Sequence, residues 1–394
     1  MKLKIVISIN TAWNIFNFRS GLVKALIDHG YEVIAITPQD EYVERLHELG
    51  CKHVALPMDS NGTNPARDLQ LLVRYYLLLR SIRPAAFLGF TIKPNTYGSI
   101  AAKALGIPVI NNIAGLGAAF IRDDYLTKIV RGLYKFALKG SHRVFFQNAE
   151  DQDLFLSSGL AKKAVSGLLP GSGINVAKYP VKPVTKLNAR PFRFLLIGRI
   201  LRDKGVQEFA EAAALLRQQG VQAEFQLLGP IDPANANSIS AEMVRAWELA
   251  GQISYLGRTD DVRPYIAHAD CVILPSYREG VPRSLLEAAA MARPIIATDV
   301  VGCRDAVDHE RNGYLCRVRD SADLAEKMAR MMALVPEQRA AMGAAGRNKI
   351  ETEFDEQIVI QKYLSALALV SPSDTARSVP VSDVSDLLPE QLNS

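Results

Sequence analysis

Short apolar runs alternate with amphipathic stretches along this chain, and the alternation starts over once. That pattern limits the fold more than any other feature. In the first half, apolar runs at 3–9, 32–37, 53–56, 86–90, 109–113 and 143–147 read as buried strands. Between them, 19–29, 42–49, 69–82, 95–105 and 126–138 read as helices, with stops at Gly30, Gly50 and Pro84. After the proline-punctuated segment 180–191 the rhythm restarts, with strands at 192–197, 223–228, 271–274 and 295–298. Helices are expected at 206–219, 262–267, 284–292 and 322–334. Strands separated by helical stretches imply parallel, doubly wound sheets. The fold class expected is therefore α/β, with two Rossmann-like domains facing a central cleft. The boundaries expected are 1–179 for the first domain, 180–191 for the linker and 192–353 for the second domain. A C-terminal helix follows over 354–370. Residues 371–394, rich in Ser, Pro and Asp, read as a disordered tail.

Composition narrows the function. At 394 residues and 48% hydrophobic content, each half can bury a core. No apolar run reaches the roughly 18 residues that a membrane-spanning helix needs, and the apolar stretch at the N-terminus is too short for a signal peptide. The four cysteines, Cys51, Cys271, Cys303 and Cys316, lack metal-ligand spacing and are expected to be reduced, as in a cytosolic protein. Residues 1–185 hold 22 Lys+Arg against 13 Asp+Glu, whereas the remainder holds 24 against 28. A basic first half suits an anionic membrane surface or a diphosphate, or is ordinary surface scatter. Nucleic acid is not an expected partner, because the basic residues are not interleaved with aromatics and no binding motif occurs.

Two segments carry chemistry. Leu274-Pro-Ser-Tyr-Arg-Glu-Gly follows an apolar run, and places Glu279 in a loop at a strand end and Glu287 one turn into the next helix. In an open α/β sheet, that crevice holds ligands. A structural alternative exists: Ser284 and Glu287 have the spacing of a capping box, with Ser284 as N-cap, and Glu279 is then a solvated loop acid. The second segment, Leu195-Leu-Ile-Gly-Arg, ends at Lys204-Gly205 and lies beyond the first strand of the second half. Gly198 admits close backbone approach, Arg199 offers a fork to phosphate oxygens, and Lys204 offers a point charge.

The Glu-x7-Glu spacing, with Gly-Arg followed by Lys-Gly upstream, resembles retaining glycosyltransferase family 4, of GT-B fold, over about residues 1–365. The resemblance implies that Glu279 meets donor-sugar hydroxyls and Glu287 the ribose. Arg199 and Lys204, with Gly198, would clamp the diphosphate, and the N–H groups opening the Ser284 helix would assist. The stretch from Tyr255 to Val262 resembles the loop near the base, which makes Arg258 a donor-side candidate. Asn17-Phe-Arg19, the stretch from Phe90 to Gly98, and Gly115-Leu-Gly117 resemble a subgroup that builds bacterial polysaccharides and glycans. They make Arg19, Lys93, Asn95, Gly115 and Gly117 the acceptor-side candidates. Three departures stand out. The first loop lacks the family's glycine-rich turn, the 111–117 loop lacks its histidine, and Gly302-Cys-Arg-Asp305 replaces Gly-Gly-x-x-Glu.

The implied reaction moves a sugar, an N-acetylhexosamine, from a UDP-sugar to a polyprenyl-diphosphate-linked saccharide with retention. The UDP-sugar is substrate, and no cofactor or metal is expected. Asp151-Gln-Asp153 has the spacing of a metal motif, but it stands at an expected helix start, where acids are favoured anyway. The location implied is cytoplasmic, peripheral at the cytoplasmic face of the inner membrane. The 69–82 helix, with Arg67, Arg74, Arg80 and Arg83 nearby, is either a lipid contact or a core helix. Two other functions stay open: a GT-B nucleotide-sugar epimerase and a non-catalytic UDP-sugar-binding module. A nicotinamide oxidoreductase is disfavoured, since no Gly-x-Gly-x-x-Gly follows the first strand.

Overall fold

The structure, a computed structural model, describes residues 2–59, 64–115, 125–181 and 190–370, with backbone alone over 125–130. Gly117, most of the 180–191 segment and the 371–394 segment lie outside the described residues.

Two parallel sheets are present. The first contains β1 (Lys4–Ser8), β2 (Glu32–Thr37), β3 (Lys52–Ala55), β4 (Ala86–Phe90), β5 (Val109–Ile113), β6 (Arg143–Phe146) and β7 (Ser166–Leu168), in the order β3-β2-β1-β4-β5-β6-β7. The second contains β8 (Phe192–Ile197), β9 (Ala223–Leu228), β10 (Ser254–Tyr255), β11 (Cys271–Leu274), β12 (Ile295–Thr298) and β13 (Gly313–Cys316), in the order β10-β9-β8-β11-β12-β13. Strand order reverses between β1 and β4 in one sheet and between β8 and β11 in the other. Ligand crevices of open α/β sheets form at such points, beyond the carboxyl ends of the strands. The central strands are buried on both faces, which is why they read as unbroken apolar runs.

The first-half helices are α1 (Ala12–Asp28), α2 (Val43–Glu48), α3 (Pro65–Ile82), α4 (Ser99–Ala104), α5 (Tyr125–Leu138) and α6 (Ala149–Ser157). Helix α1 starts seven residues before the expected 19–29 helix, because Thr11 caps it by accepting the Asn14 N–H at 3.2 Å. The first loop of the sequence reading is therefore mostly helix. The expected 95–105 helix is a π-helical turn, Pro94–Gly98, running into α4.

In the second half lie α7 (Val206–Gln218), α8 (Ala241–Leu249), α9 (Arg263–His268), α10 (Arg283–Ala290), α11 (Cys303–Ala306), α12 (Ser321–Ala333) and α13 (Pro336–Glu353). The last helix, α14 (Glu356–Ala368), returns to the first sheet. There Val359, Ile360, Tyr363, Ala366 and Leu367 join the core built by β1, α1 and β4. The chain thus crosses between the halves twice. The crossings pair where Ile174 donates to Phe354 O at 2.7 Å and Glu356 donates to Ile174 O at 3.1 Å. All four cysteines are free and buried.

Candidate active site

A cleft of about 1320 Å³ lies between the carboxyl edges of the two sheets. Its second-half wall is built at the reversal point. Strand β8 ends at Ile197, and Gly198 follows, its amide held by Leu228 O at 3.0 Å. A β-carbon built on Gly198 would meet nothing within 4 Å, so this backbone faces open cleft. Arg199 is exposed on the cleft wall, and its side chain makes no hydrogen bond or ion pair among the described residues. The chain then turns through Arg202–Lys204 into Gly205, which has φ +70°. A β-carbon there would lie 2.0 Å from Pro275 O, so only glycine lets this turn pack on the exit of β11. That packing brings Lys204 to the loop after β11. Its Nζ donates to Glu279 Oε1 at 2.5 Å, and the Glu279 amide is fixed by Val301 O at 3.1 Å. Residues 75 positions apart in sequence thus form one half-buried ion pair on the cleft wall.

Helix α10 begins at Arg283 rather than Ser284. Its N-cap is Pro282, which makes no side-chain cap. The capping-box reading is therefore wrong: Ser284 is the second helical residue, and Glu287 is not turned back onto the helix start. Glu287 Oε1 instead accepts from Tyr179 Oη at 2.8 Å and from Arg283 Nε at 2.9 Å. Burial works against the Arg283 charge, but Glu287 and Tyr179 more than offset it and hold the guanidinium above its ordinary range. Arg283 also donates to Ser172 Oγ at 2.9 Å and Gly173 O at 3.0 Å, which locks α10 to the first crossing. Ser284 lines the cleft at a helix start whose first amides have no intrahelical acceptor.

The opposite wall differs from the sequence reading. Arg258 lines the cleft and reaches across it to Glu41, at 3.4 Å. Gly115 sits against the Glu279 loop, where a β-carbon would lie 3.5 Å from Gly280. None of the described acceptor-side candidates, Gly115 included, lines the cleft. Arg19 falls on the buried face of α1, its guanidinium 4.3 Å from the centre of the Phe90 ring, and burial pushes its pKa down to about 10. Arg19 faces a small cavity, and Phe18 lines both that cavity and the cleft. Lys93 is tied to Asp68 of α3 at 2.8 Å. Asn95 is fully buried, donating to Asn112 O at 2.7 Å and accepting from Asn111 Nδ2 at 2.9 Å. These three serve the first half's own packing. The sequence reading missed Tyr179 and Arg283 as the partners of Glu287, although Arg283 stands four residues ahead of it on the same helix.

Comparison with known proteins agrees with this architecture. Residues 191–333 match the family of glycosyl transferases group 1, and residues 4–148 match the glycosyl transferase 4-like family. The chain is 30% identical over 367 residues to the N,N'-diacetylbacillosaminyl-diphospho-undecaprenol alpha-1,3-N-acetylgalactosaminyltransferase of Campylobacter jejuni, covering 89% of this chain and 94% of that protein. It is 23% identical over 265 residues to the UDP-Gal:alpha-D-GlcNAc-diphosphoundecaprenol alpha-1,3-galactosyltransferase of Escherichia coli, covering 64% and 68% of the two chains. In fold it is similar to a sucrose-phosphate synthase from Thermosynechococcus elongatus, with TM-score 0.77, 19% identity and coverage of 94% and 99%. It is also similar to Anabaena HepE solved in complex with UDP, with TM-score 0.76, 16% identity and coverage of 94% and 100%. The two reversal-point walls, the motif segments they carry and these similarities make the chain a glycosyltransferase of GT-B fold and of family 4, with a glycosyl transferase 4-like first half and a glycosyl transferases group 1 second half.

Proposed function

We propose that this enzyme transfers an N-acetylhexosamine from a UDP-sugar to a polyprenyl-diphosphate-linked saccharide, with retention, in surface polysaccharide or glycan assembly. The observation that carries the reading is the cluster at the second reversal point. Arg199, the Lys204–Glu279 pair and the start of α10 share one wall of the cleft. Breaking the glycosidic bond leaves the electron pair on the β-phosphate oxygen. Arg199, Lys204 and the α10 amides can stabilise that charge where it grows. Glu279 would hold hydroxyls of the sugar, while Glu287, steadied by Tyr179 and Arg283, would keep an oxygen for the ribose. The acceptor hydroxyl would attack the anomeric carbon on the face that UDP leaves, and its proton would pass to the departing phosphate oxygen. The names of the Campylobacter and Escherichia relatives support an undecaprenyl-diphosphate-linked acceptor, and the latter's name a UDP-sugar donor.

No described helix is long and apolar enough to cross a membrane. A lipid-linked acceptor would therefore be met by peripheral contact at the cytoplasmic face of the inner membrane, with α3 as the contact. The test is a panel of UDP-sugars offered with and without polyprenyl-diphosphate saccharides, in the presence of EDTA. Expected is acceptor-dependent transfer that survives the chelator. Release of an isomerised free sugar without acceptor would establish the epimerase reading instead, and UDP binding without turnover would establish the binding module.

A further inference from the structure

Asp151 belongs to the Asp151-Gln-Asp153 segment, and its side chain is 0% exposed. Its backbone amide takes the cap of Asn148 Oδ1 at 2.7 Å, and its Oδ2 accepts from Asn148 Nδ2 at 3.1 Å. Its other oxygen accepts from Arg278, in the second half of the chain. Arg278 is the residue immediately before Glu279. The loop is seated there by the backbone as well: a β-carbon on Gly280 would lie 2.5 Å from Ala114 O and 2.6 Å from Gln147 Oε1, both in the first half. A second, more exposed pair, Arg304–Glu150 at 2.7 Å, flanks the first.

The Glu279 loop is thus held from two sides. The second half grips Glu279 itself through Val301 and Lys204, while the first half holds Arg278 through Asp151 and leaves no room for a β-carbon at Gly280. We propose that Asp151 is a positioning residue for transfer, setting Glu279 through Arg278 when the two halves are together. This rests on the proposed role of Glu279. A UDP moiety bound to Arg199, Glu287 and the α10 start needs no contact with Asp151. Alignment of Glu279 with the sugar does, since a buried carboxylate facing a guanidinium fixes the loop only while both charges are in place. Misplacing a catalytic group by about 1 Å costs on the order of 10²-fold in rate, so the pair separates donor binding from turnover.

The test uses the full chain with Asp151→Asn, Arg278→Gln and the double variant. Hydrogen exchange of the Glu279 and Gly280 amides should speed up in each single variant, with β8 and α10 unchanged. In the transfer assay kcat should fall roughly 10- to 100-fold, while UDP affinity by calorimetry stays within about twofold of the wild type. The double variant should be no worse than the poorer single variant, because the two residues act as one unit. Arg278→Lys should recover part of the lost rate. Unchanged exchange at Glu279 and Gly280, or an equal loss of UDP affinity, overturns the proposal. So do additive losses in the double variant. The exchange result decides it without any turnover, so a wild type that transfers no sugar counts against the proposed reaction alone.

Discussion

Lys204 has two demands on one ammonium. It satisfies Glu279 at 2.5 Å, and in the proposed complex it must also serve the donor diphosphate. Charge on the β-phosphate grows as the bond breaks, so Lys204 and Arg199 should act more strongly in the transition state than in the ground state. Lys204→Ala and Arg199→Ala are expected to lower kcat by about 10²–10³-fold, the scale of one preorganised donor. UDP affinity should fall too, and acceptor KM should barely move. Lys204→Arg should recover activity only in part, because a planar fork and a compact ammonium place charge differently. Glu279→Ala should cost on the order of 10²-fold or more in kcat with the fold intact. Steady-state kinetics with both substrates varied, plus UDP calorimetry, read all four variants. A Lys204→Ala enzyme that bound UDP normally and lost only acceptor affinity would move the donor site off the second half. The placement of Arg199, Lys204 and Glu279 on one cleft wall was legible because each sits within a few positions of a strand end, where sequence distance and spatial placement agree. Arg19, Lys93 and Asn95 were not, because their fate depends on which helix face or turn they occupy. A helix beginning at Ala12 instead of position 19 turns Arg19 inward onto Phe90.

Helix α3 carries apolar residues on two sides, and only one of them meets the core. Leu71, Tyr75 and Leu79 are buried, whereas Leu69, Val73 and Leu77 are 62%, 50% and 57% exposed. Their spacing of four residues makes one solvent-facing stripe, and exposed Arg74 and Arg80 lie on the same helix. The core-helix alternative therefore describes one face, and the exposed stripe is the face that the proposed lipid contact would use. Burying one such side chain in an interface stabilises by about 1.5 kcal/mol or more. Changing Leu69, Val73 and Leu77 together to Gln should then weaken binding to anionic vesicles by about tenfold or more. Transfer to a water-soluble acceptor analogue should persist. Co-sedimentation with anionic and neutral vesicles measures this, and unchanged binding to anionic vesicles would remove α3 from the membrane contact. Among the elements, long doubly buried strands such as β5 and β8 were legible to within a residue. The two-residue β10 was missed, because so few residues carry no periodicity, and the four-residue β13 was missed too. The π-helical turn before α4 was missed as well, since its apolar spacing does not separate it from an ordinary helix.

At the scale of the whole molecule, the C-terminal helix belongs by packing to the sheet where the chain began. Tyr363 of α14 is buried at 1% exposure, takes the Asn112 side-chain amide on its hydroxyl at 2.8 Å and packs its ring against Phe90 and Phe145. Its neighbour on the approach, Glu356, accepts from Asn175 Nδ2 at 2.6 Å and so ties the two crossings together. Gly173 at φ +71° lets them meet, because a β-carbon there would lie 2.4 Å from Glu356 Cα. Sequence could suggest a terminal helix here, but not which half it serves, because that is decided by contacts some 250 residues apart. The consequence is that a lesion in the last helix should unfold the first half of the molecule. Tyr363→Ala removes a large buried ring and leaves the Asn112 amide without its acceptor, which should cost about 3–5 kcal/mol. The second half keeps its own cores around β8 and β11, of which Tyr363 is not a member. Thermal unfolding followed with and without UDP separates the two. Expected is an early transition in Tyr363→Ala that UDP shifts little, followed by a later one that UDP raises, since ligand stabilises only the part that binds it. Amide exchange should locate the early transition in β1, β4 and α1. A single transition raised by UDP as in the wild type would show instead that the two halves unfold as one unit.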